Sequence, residues 1–225
     1  ICGMKSIEFF LKKIKNKKLL VVFPHPDDES VMAGGLIQRA MALGFAVTVL
    51  TLTEGNRGKI YINGKGRSVT EIRRQEMALA MSILRVTDWI MWKFEDGKLR
   101  KGVVWRSRLR SFINMTKPGL VVSYDLSGVT AHPDHVSLSL EILRIYRENK
   151  NFGLLWTSFV GKRKELMVNN RAQNYLQKPK YILELNLRES FAKWRAAYSH
   201  KSQNLFGYLK SFWWVLAFGA RTEWY

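Results

Sequence analysis

Three of the four histidines in this chain lie in two short clusters that also carry carboxylates. The first is Phe23-Pro24-His25-Pro26-Asp27-Asp28-Glu29-Ser30, and the second is His132-Pro133-Asp134-His135. Neutral imidazole and carboxylate oxygen are ligands that zinc accepts at about 2.0–2.2 Å. Each cluster alone has an ordinary reading: His-Pro as a turn, and Asp-Asp-Glu as charge favoured at a helix N-terminus. Together they suggest a divalent metal site. Three protein ligands and an open position bring the pKa of a bound water towards about 7, which makes it a hydrolytic nucleophile. Prolines on both sides of His25 stiffen its backbone, as a ligand held in fixed geometry requires. Asp27 and Asp28 are adjacent and point in different directions, so one can bind metal while the other takes a proton.

Each cluster follows an apolar run. Leu19-Leu20-Val21-Val22-Phe23 precedes the first, and Leu120-Val121-Val122-Ser123-Tyr124 the second. The chain alternates such runs with helical patterns. Residues 19–23, 46–52, 89–94, 120–124, 154–159 and 181–185 read as strands, mostly continuous rather than alternating, which suits strands covered on both faces. Residues 30–43, 70–86, 104–116, 133–147 and 187–204 read as helices, with Gly44 closing the first. The pattern predicts an α/β fold, Rossmann-like and three-layered, with a mostly parallel central sheet. Ligands in open sheets gather outside the carboxyl ends of the strands, so one site can receive both clusters. Pro133 suits a first helical position, which puts His132 just outside the helix and His135 in its first turn. The two imidazoles can then do different jobs, one on the metal and one towards the substrate.

At 225 residues the chain reads as one domain, 1–225, with a sizeable core. Its single cysteine, Cys2, excludes an intrachain disulfide, and no apolar run reaches the length of about 20 residues that a membrane span needs. A cytoplasmic protein is expected, with peripheral membrane association as a variant. The net charge of +19 attracts nucleic acid, anionic membrane or phosphorylated substrates. Residues 4–17 carry apolar positions at helical spacing among lysines, which reads as a helix packed on the sheet or one lying on a membrane surface. The aromatic segment 212–218 reads as core in preference to an interfacial anchor. In the glycine-rich loop 53–68, Arg57, Lys59, Lys65 and Arg67 can meet an anionic or polyhydroxylated ligand or remain solvated.

Pro24-His25-Pro26-Asp27-Asp28-Glu29 and His132-Pro133-Asp134-His135 resemble the two signature motifs of the LmbE/PIG-L-like family of zinc-dependent N-deacetylases. Thr53-Glu54-Gly55-Asn56-Arg57-Gly58, Arg73-Arg74-Gln75-Glu76, Asp96-Gly97 and His200-Lys201-Ser202-Gln203 resemble further elements of that family. The resemblance implies hydrolysis of an N-acetyl group on an N-acetylglucosamine conjugate. It implies that His25, Asp28 and His135 bind zinc, with ferrous iron as the alternative such a donor set accepts. Asp27 is then the general base. His132 stabilises the oxyanion or protonates the leaving amine, Asp134 orients its ring, and Arg73 and Asp96 contact the sugar. Several family members carry a tyrosine where this chain has Thr130, and Tyr124 is a candidate replacement.

Two rivals follow from the same residues. One is an amidase of the same fold acting on a larger amide conjugate. The other is a non-catalytic basic module binding nucleic acid or anionic membrane, which has no need of Asp27 and His132 and lacks the aromatic-basic motif of an RNA-binding fold. Glu29 is either a partner beneath the site or a helix-start charge, Glu76 either braces the site or pairs with Arg73, and His200 either approaches the site or is structural. Asp125 and Glu54 stand at strand ends facing the site.

Overall fold

The five apolar runs nearest the two clusters pair into one parallel sheet. They form β2 (Lys18–Phe23), β3 (Ala46–Thr53), β4 (Asp88–Phe94), β5 (Leu120–Tyr124) and β6 (Gly153–Thr157), in the spatial order β4-β3-β2-β5-β6. This computed structural model describes residues 4–160, 168, 170–205 and 221–225, and the aromatic segment 212–218 lies outside the described residues. Burial explains the continuous apolar runs. Leu19, Val21 and Phe23 join one core and Leu20 and Val22 the other, and all five are at most 2% exposed. On the first face α1 (Ile7–Lys13), α2 (Asp28–Ala42) and α3 (Val69–Leu84) contribute Leu11, Leu36 and Met81. On the second, α4 (Val104–Thr116) and α6 (Pro133–Asn149) contribute Leu109 and Ile142, with the short turn α5 (Gly128–Ala131) between β5 and α6. The fold is the three-layered α/β arrangement that the alternation predicts.

Local chemistry sets the helix ends. Gly44 (φ +82°) lets Phe45 N–H reach Ala40 O at 3.0 Å and Gly44 N–H reach Met41 O at 3.0 Å, a Schellman closure of α2. Ser68 and Glu71 form a capping box at the start of α3. The strand order reverses direction between β2 and β5, so the loops after these two strands diverge to opposite faces and leave a crevice between them.

Two expectations change, and a third is decided. The run 181–185 forms β7 (Tyr181–Glu184), outside the central sheet; it pairs with β1 (Lys5–Ser6) in parallel and with β8 (Thr222–Trp224) antiparallel. Only Leu183 of β7 is buried, whereas a central strand is covered on both faces. The helix expected over 187–204 is α7 (Leu187–Ser199); it stops because Glu76 captures the Ser202 N–H at 2.7 Å and holds residues 201–203 in a 3₁₀ turn. Residues 4–17 give the short α1, whose Ile7 and Leu11 are fully buried, so its apolar face is spent on the core. No helix among the described residues is long and apolar enough to cross a membrane.

The small sheet is locked to α2 by a buried carboxylate. Glu223 Oε1 accepts from Gly35 N (2.7 Å) and Lys193 Nζ (2.6 Å), and Oε2 from Leu36 N (2.8 Å) and the Tyr225 hydroxyl (2.6 Å). A side chain at Gly35 would stand 2.5 Å from Leu185 Cδ2, so glycine is what permits this approach. Removing one member of a buried ion pair strands the other charge and costs about 3–5 kcal/mol. Glu223→Ala is therefore expected to lower the unfolding free energy by about that much in a denaturant titration; a loss under about 0.5 kcal/mol, the size of a neutral surface change, would contradict a buried, fully bonded Glu223.

Candidate active site

At the carboxyl end of β2 the chain turns into α2, and at that of β5 it passes through the short α5 into α6. Pro24 O accepts from both the amide and the hydroxyl of Thr53 at 3.0 Å, tying the β2 exit to the β3 exit. Asp27 has φ +107°, a conformation that L residues rarely adopt. Its amide donates to Glu29 Oε2 (3.0 Å), its carbonyl accepts the first helical amides of Ser30 and Val31, and its carboxylate meets Arg73 at 3.2 Å. Strain of this kind costs on the order of 1–3 kcal/mol and persists where surrounding bonds over-determine it.

Three of the sequence-picked atoms face one point. His25 Nδ1 lies 3.2 Å from His135 Nε2 and 3.5 Å from Asp28 Oδ2, and the latter two are 3.8 Å apart. Ligands at about 2.0–2.2 Å from a tetrahedral metal stand about 3.3–3.6 Å from one another, so this triangle fits a divalent ion with small adjustment. His25 also belongs to two wider groupings, one with His132 and His135 and one with Asp96 and Asp134. In the latter, His25 Nε2 lies 3.0 Å from Asp96 Oδ1 and 3.4 Å from Asp134 Oδ2. Those two carboxylates are already engaged by backbone: Asp96 accepts from Arg57 N (3.2 Å), and Asp134 from Gly97 N (2.7 Å) and Leu99 N (3.0 Å). We favour the Nδ1 triangle as the cation position, because Nε2–H then donates to the carboxylates that flank it.

The electrostatics agree with a site built for positive charge. Burial opposes an imidazolium at His25, yet Asp134, Asp28 and Asp96 together raise its pKa well above the ordinary value. Burial also pushes Asp28 up, but His135, His25 and the Tyr124 hydroxyl outweigh it and hold Asp28 well below the usual carboxylate range. Burial, reinforced by the His25 charge, lowers His135 to about 4 against the pull of Asp28, which keeps its ring neutral and able to ligate. Asp27, buried and beside Asp28, is pushed up to about 6 despite the Arg73 charge.

Neighbours fix these rings. The Gly128 carbonyl accepts from His135 Nδ1–H at 3.0 Å, which leaves Nε2 with its lone pair free. Tyr124 stacks on His135 (4.2 Å between centroids) and donates its hydroxyl to Asp28 Oδ1 at 2.6 Å. That hydroxyl is buried and committed to Asp28, so Tyr124 does not take the role of a tyrosine at position 130; Thr130 Oγ1 sits 3.3 Å from His135 Nδ1. His132 Nδ1 accepts the amide of Asp134 at 3.2 Å, so residue 134 orients that ring through its backbone while its carboxylate serves His25. A cavity of about 420 Å³ is lined by the side chains of His25, Asp27, Arg57, Arg73, Asp96, His132 and Gln203 and by Gly55, Gly58 and Gly97. All eight residues singled out by sequence thus lie at this crevice or directly beneath it. Within it Arg73 is bonded to Asp27 and to the Pro26 carbonyl.

A supporting layer lies under the cavity. Glu29 is fully buried between the Asp27 amide and His200, whose Nε2 is 3.5 Å away. Glu76 accepts both the amide and the hydroxyl of Ser202 and has no bond to Arg73. Asp125 accepts from Ser127 and Gln177, bracing the turn before His132, and Glu54 pairs with Arg74. Sequence reading missed the Tyr124–Asp28 bond and the Gly97 and Leu99 amides. The first was traceable: β2 and β5 are neighbours in register, so Tyr124 ends beside Phe23, just before the His25 loop.

The family model described as PIG-L, GlcNAc-PI de-N-acetylase, matches residues 20–146. The chain belongs to this family. A "1D-myo-inositol 2-acetamido-2-deoxy-alpha-D-glucopyranoside deacetylase" of Actinosynnema mirum is 33% identical over 147 residues, 53% of this chain and 51% of that protein. A "Probable N-acetyl-alpha-D-glucosaminyl L-malate deacetylase 2" of Bacillus anthracis is 28% identical over 193 residues, 80% of this chain and 85% of that one. The chain spans about half the length of most of the curated relatives it matches. Among solved structures, the N,N'-diacetylchitobiose deacetylase from Pyrococcus horikoshii superposes with a TM-score of 0.66 at 21% identity, covering 93% of this chain and 82% of that one. The 4-carboxy-2-hydroxymuconate hydratase of Pseudomonas putida superposes at 0.63 with 18% identity, covering 92% of this chain and 94% of that one, so this PIG-L-family fold is not tied to one reaction.

Groups that bond a metal ligand typically tune metal affinity 10–100-fold. Tyr124→Phe removes the donor to Asp28 Oδ1 and is expected to weaken divalent-metal binding by about that factor, read with zinc as the probe in a competition titration against a chromophoric chelator. Unchanged affinity would show that the hydroxyl plays no part in holding Asp28.

Proposed function

We propose that this chain is a metal-dependent N-deacetylase that hydrolyses the acetamide of an N-acetylglucosamine conjugate, and that residues 1–225 act as one catalytic domain. The observation that carries the reading is the ligand triangle of His25, Asp28 and His135 beside a carboxylate, Asp27, left without a ligand role. The donor set suits zinc and also admits ferrous iron. A bound ion would supply Lewis acidity and lower the pKa of water at the site.

The remaining work falls to side chains. Asp27 accepts the proton of the attacking water, and its raised pKa of about 6 suits a base working near neutral pH. Arg73 holds that carboxylate in place at 3.2 Å. His132 accepts a backbone amide at Nδ1, which leaves its Nε2–H as a donor to the charge that develops on the acetamide oxygen. Water adds to the carbonyl carbon, the C–N bond breaks, and the proton held by Asp27 passes to the departing nitrogen, giving acetate and a free amine. Asp96 and Arg73 line the cavity at the place a sugar ring would occupy. Relatives named as deacetylases of N-acetylglucosamine conjugates support the amino-sugar class. The protein acts in the cytoplasm, in keeping with a sequence whose one cysteine forms no intrachain disulfide. The membrane-surface reading of α1 loses its support, because the apolar face of that helix is buried.

Amine release from N-acetylglucosamine and its inositol-linked, nucleotide-linked and chitobiose forms tests the reading with zinc-loaded and chelator-stripped protein side by side. Release that depends on metal is expected from at least one conjugate. Asp27→Ala should keep its metal and lose turnover by about 10²–10⁴-fold, the usual contribution of a general base. An Asp27→Ala protein with undiminished turnover would sink the mechanism.

A further inference from the structure

Among the arginines at the crevice, Arg57 differs from the others. Arg73 is paired with Asp27, and Arg74 with Glu54. Arg57 lines the cavity, is exposed, and its guanidinium has no carboxylate partner among the described residues. Its backbone is nevertheless held at several points. The Arg57 amide donates to Asp96 Oδ2 at 3.2 Å, and Gly58 N–H closes the turn onto Gly55 O at 3.2 Å. Gln203 Nε2 donates to Lys59 O at 3.3 Å, and its Oε1 lies 2.8 Å from where a side chain at Gly58 would begin. The Arg57 side chain runs along Gly97, with Nη1 3.6 Å from the position a Cβ there would take. A long cation is thus presented from a fixed loop at the wall of the cavity, beside Asp96 and Gly97.

Most of the other charge at the site is negative, and the Arg73 cation is already paired with Asp27. Asp27, Asp28, Asp96 and Asp134 crowd the floor, and an anion placed over them would be repelled. Arg57 is the group in the cavity that offers an anion unpaired N–H donors, in a fork that matches carboxylate or phosphate oxygens.

We propose that Arg57 selects substrates whose aglycone, the group joined to the amino sugar, carries an anionic oxyacid, carboxylate or phosphate. This rests on the deacetylase reading above. The acetamide meets the ligand triangle, Asp27 and His132, while the anionic end meets Arg57 at the cavity wall.

The test compares metal-loaded wild-type, Arg57→Gln and Arg57→Lys proteins on three probes: methyl N-acetylglucosaminide, N-acetylglucosamine 1-phosphate and an N-acetylglucosaminyl glycolate. Both kcat/KM and calorimetric binding are read. Wild type should favour at least one anionic probe over the neutral one. The anionic-to-neutral ratio should fall about 10–100-fold in Arg57→Gln, as loss of a charged hydrogen-bonding partner predicts, and partly recover in Arg57→Lys. The larger drop, on phosphate or on glycolate, names the acid. Equal binding of all three probes by wild type, equal losses on all three in Arg57→Gln, or no binding of either anionic probe would overturn the assignment. Absence of turnover on every probe would instead count against the deacetylase reading, and the binding ratios would still decide on Arg57.

Discussion

Everything at this crevice is arranged around one imidazole. His25 presents Nδ1 to Asp28 and His135 and Nε2 to Asp96 and Asp134. Those partners come from the start of α2, the start of α6 and the turn after β4, so a single ring ties together segments far apart in the chain. The ring can do this only because β2 and β5 are adjacent and parallel, which brings the loops after both strands to the same end of the sheet. Reversing either strand would send its cluster to the opposite edge.

Such a concentration of carboxylates is costly to bury, and the structure shows how the cost is offset. Asp134, fully buried, accepts two backbone amides; Asp28 accepts the His25 amide and the Tyr124 hydroxyl; Glu29 accepts the Asp27 amide. Charge-assisted bonds to fixed N–H groups are stronger than neutral ones and need no further reorganisation when a ligand arrives. Arg73 is the one buried guanidinium near these acids among the described residues, and it is directed at Asp27, the carboxylate that stands outside the His25–Asp28–His135 group. The unusual φ of Asp27 has the same origin: the turn must place Asp28 inward at the ligand triangle and Asp27 towards Arg73 from consecutive positions.

Much of this was legible in the sequence, and for a definite reason. The two clusters are contiguous, each sits just after a run apolar at every position, and a strand buried on both faces leaves that signature. The choice between metal-binding and supporting residues needed the resemblance to known motifs as well. What could not be read was long-range pairing. Glu76 has Arg73 three residues away on its own helix, yet it bonds Ser202 from a distant turn. Asp134 has His132 two residues away, yet its carboxylate reaches His25 and the loop after β4. In both cases the sequence-local partner loses because the distant one supplies bonds in a buried setting, where an unsatisfied polar group costs about 1–3 kcal/mol. β7 was misplaced for a related reason: five apolar residues in a row mark a strand, but not which sheet accepts it.

The strong positive charge of the chain is easier to place once its pairs are counted out. Arg106, Arg110 and Arg144 gather on buried Glu141, Arg39 on Glu8 and Glu189, and Lys193 on Glu223. These cations neutralise buried or half-buried acids and have little left to offer an outside partner. Among the described residues, many of the other lysines and arginines are exposed, where screening over about 8–10 Å limits their reach. A cation acts on a ligand only where geometry brings it within contact of one. Glycines at 55, 58 and 97 keep the mouth of the cavity open to the backbone, and Arg57 stands on that rim. Local placement, more than the total charge, is therefore what connects the basic composition of this protein to the chemistry of its site.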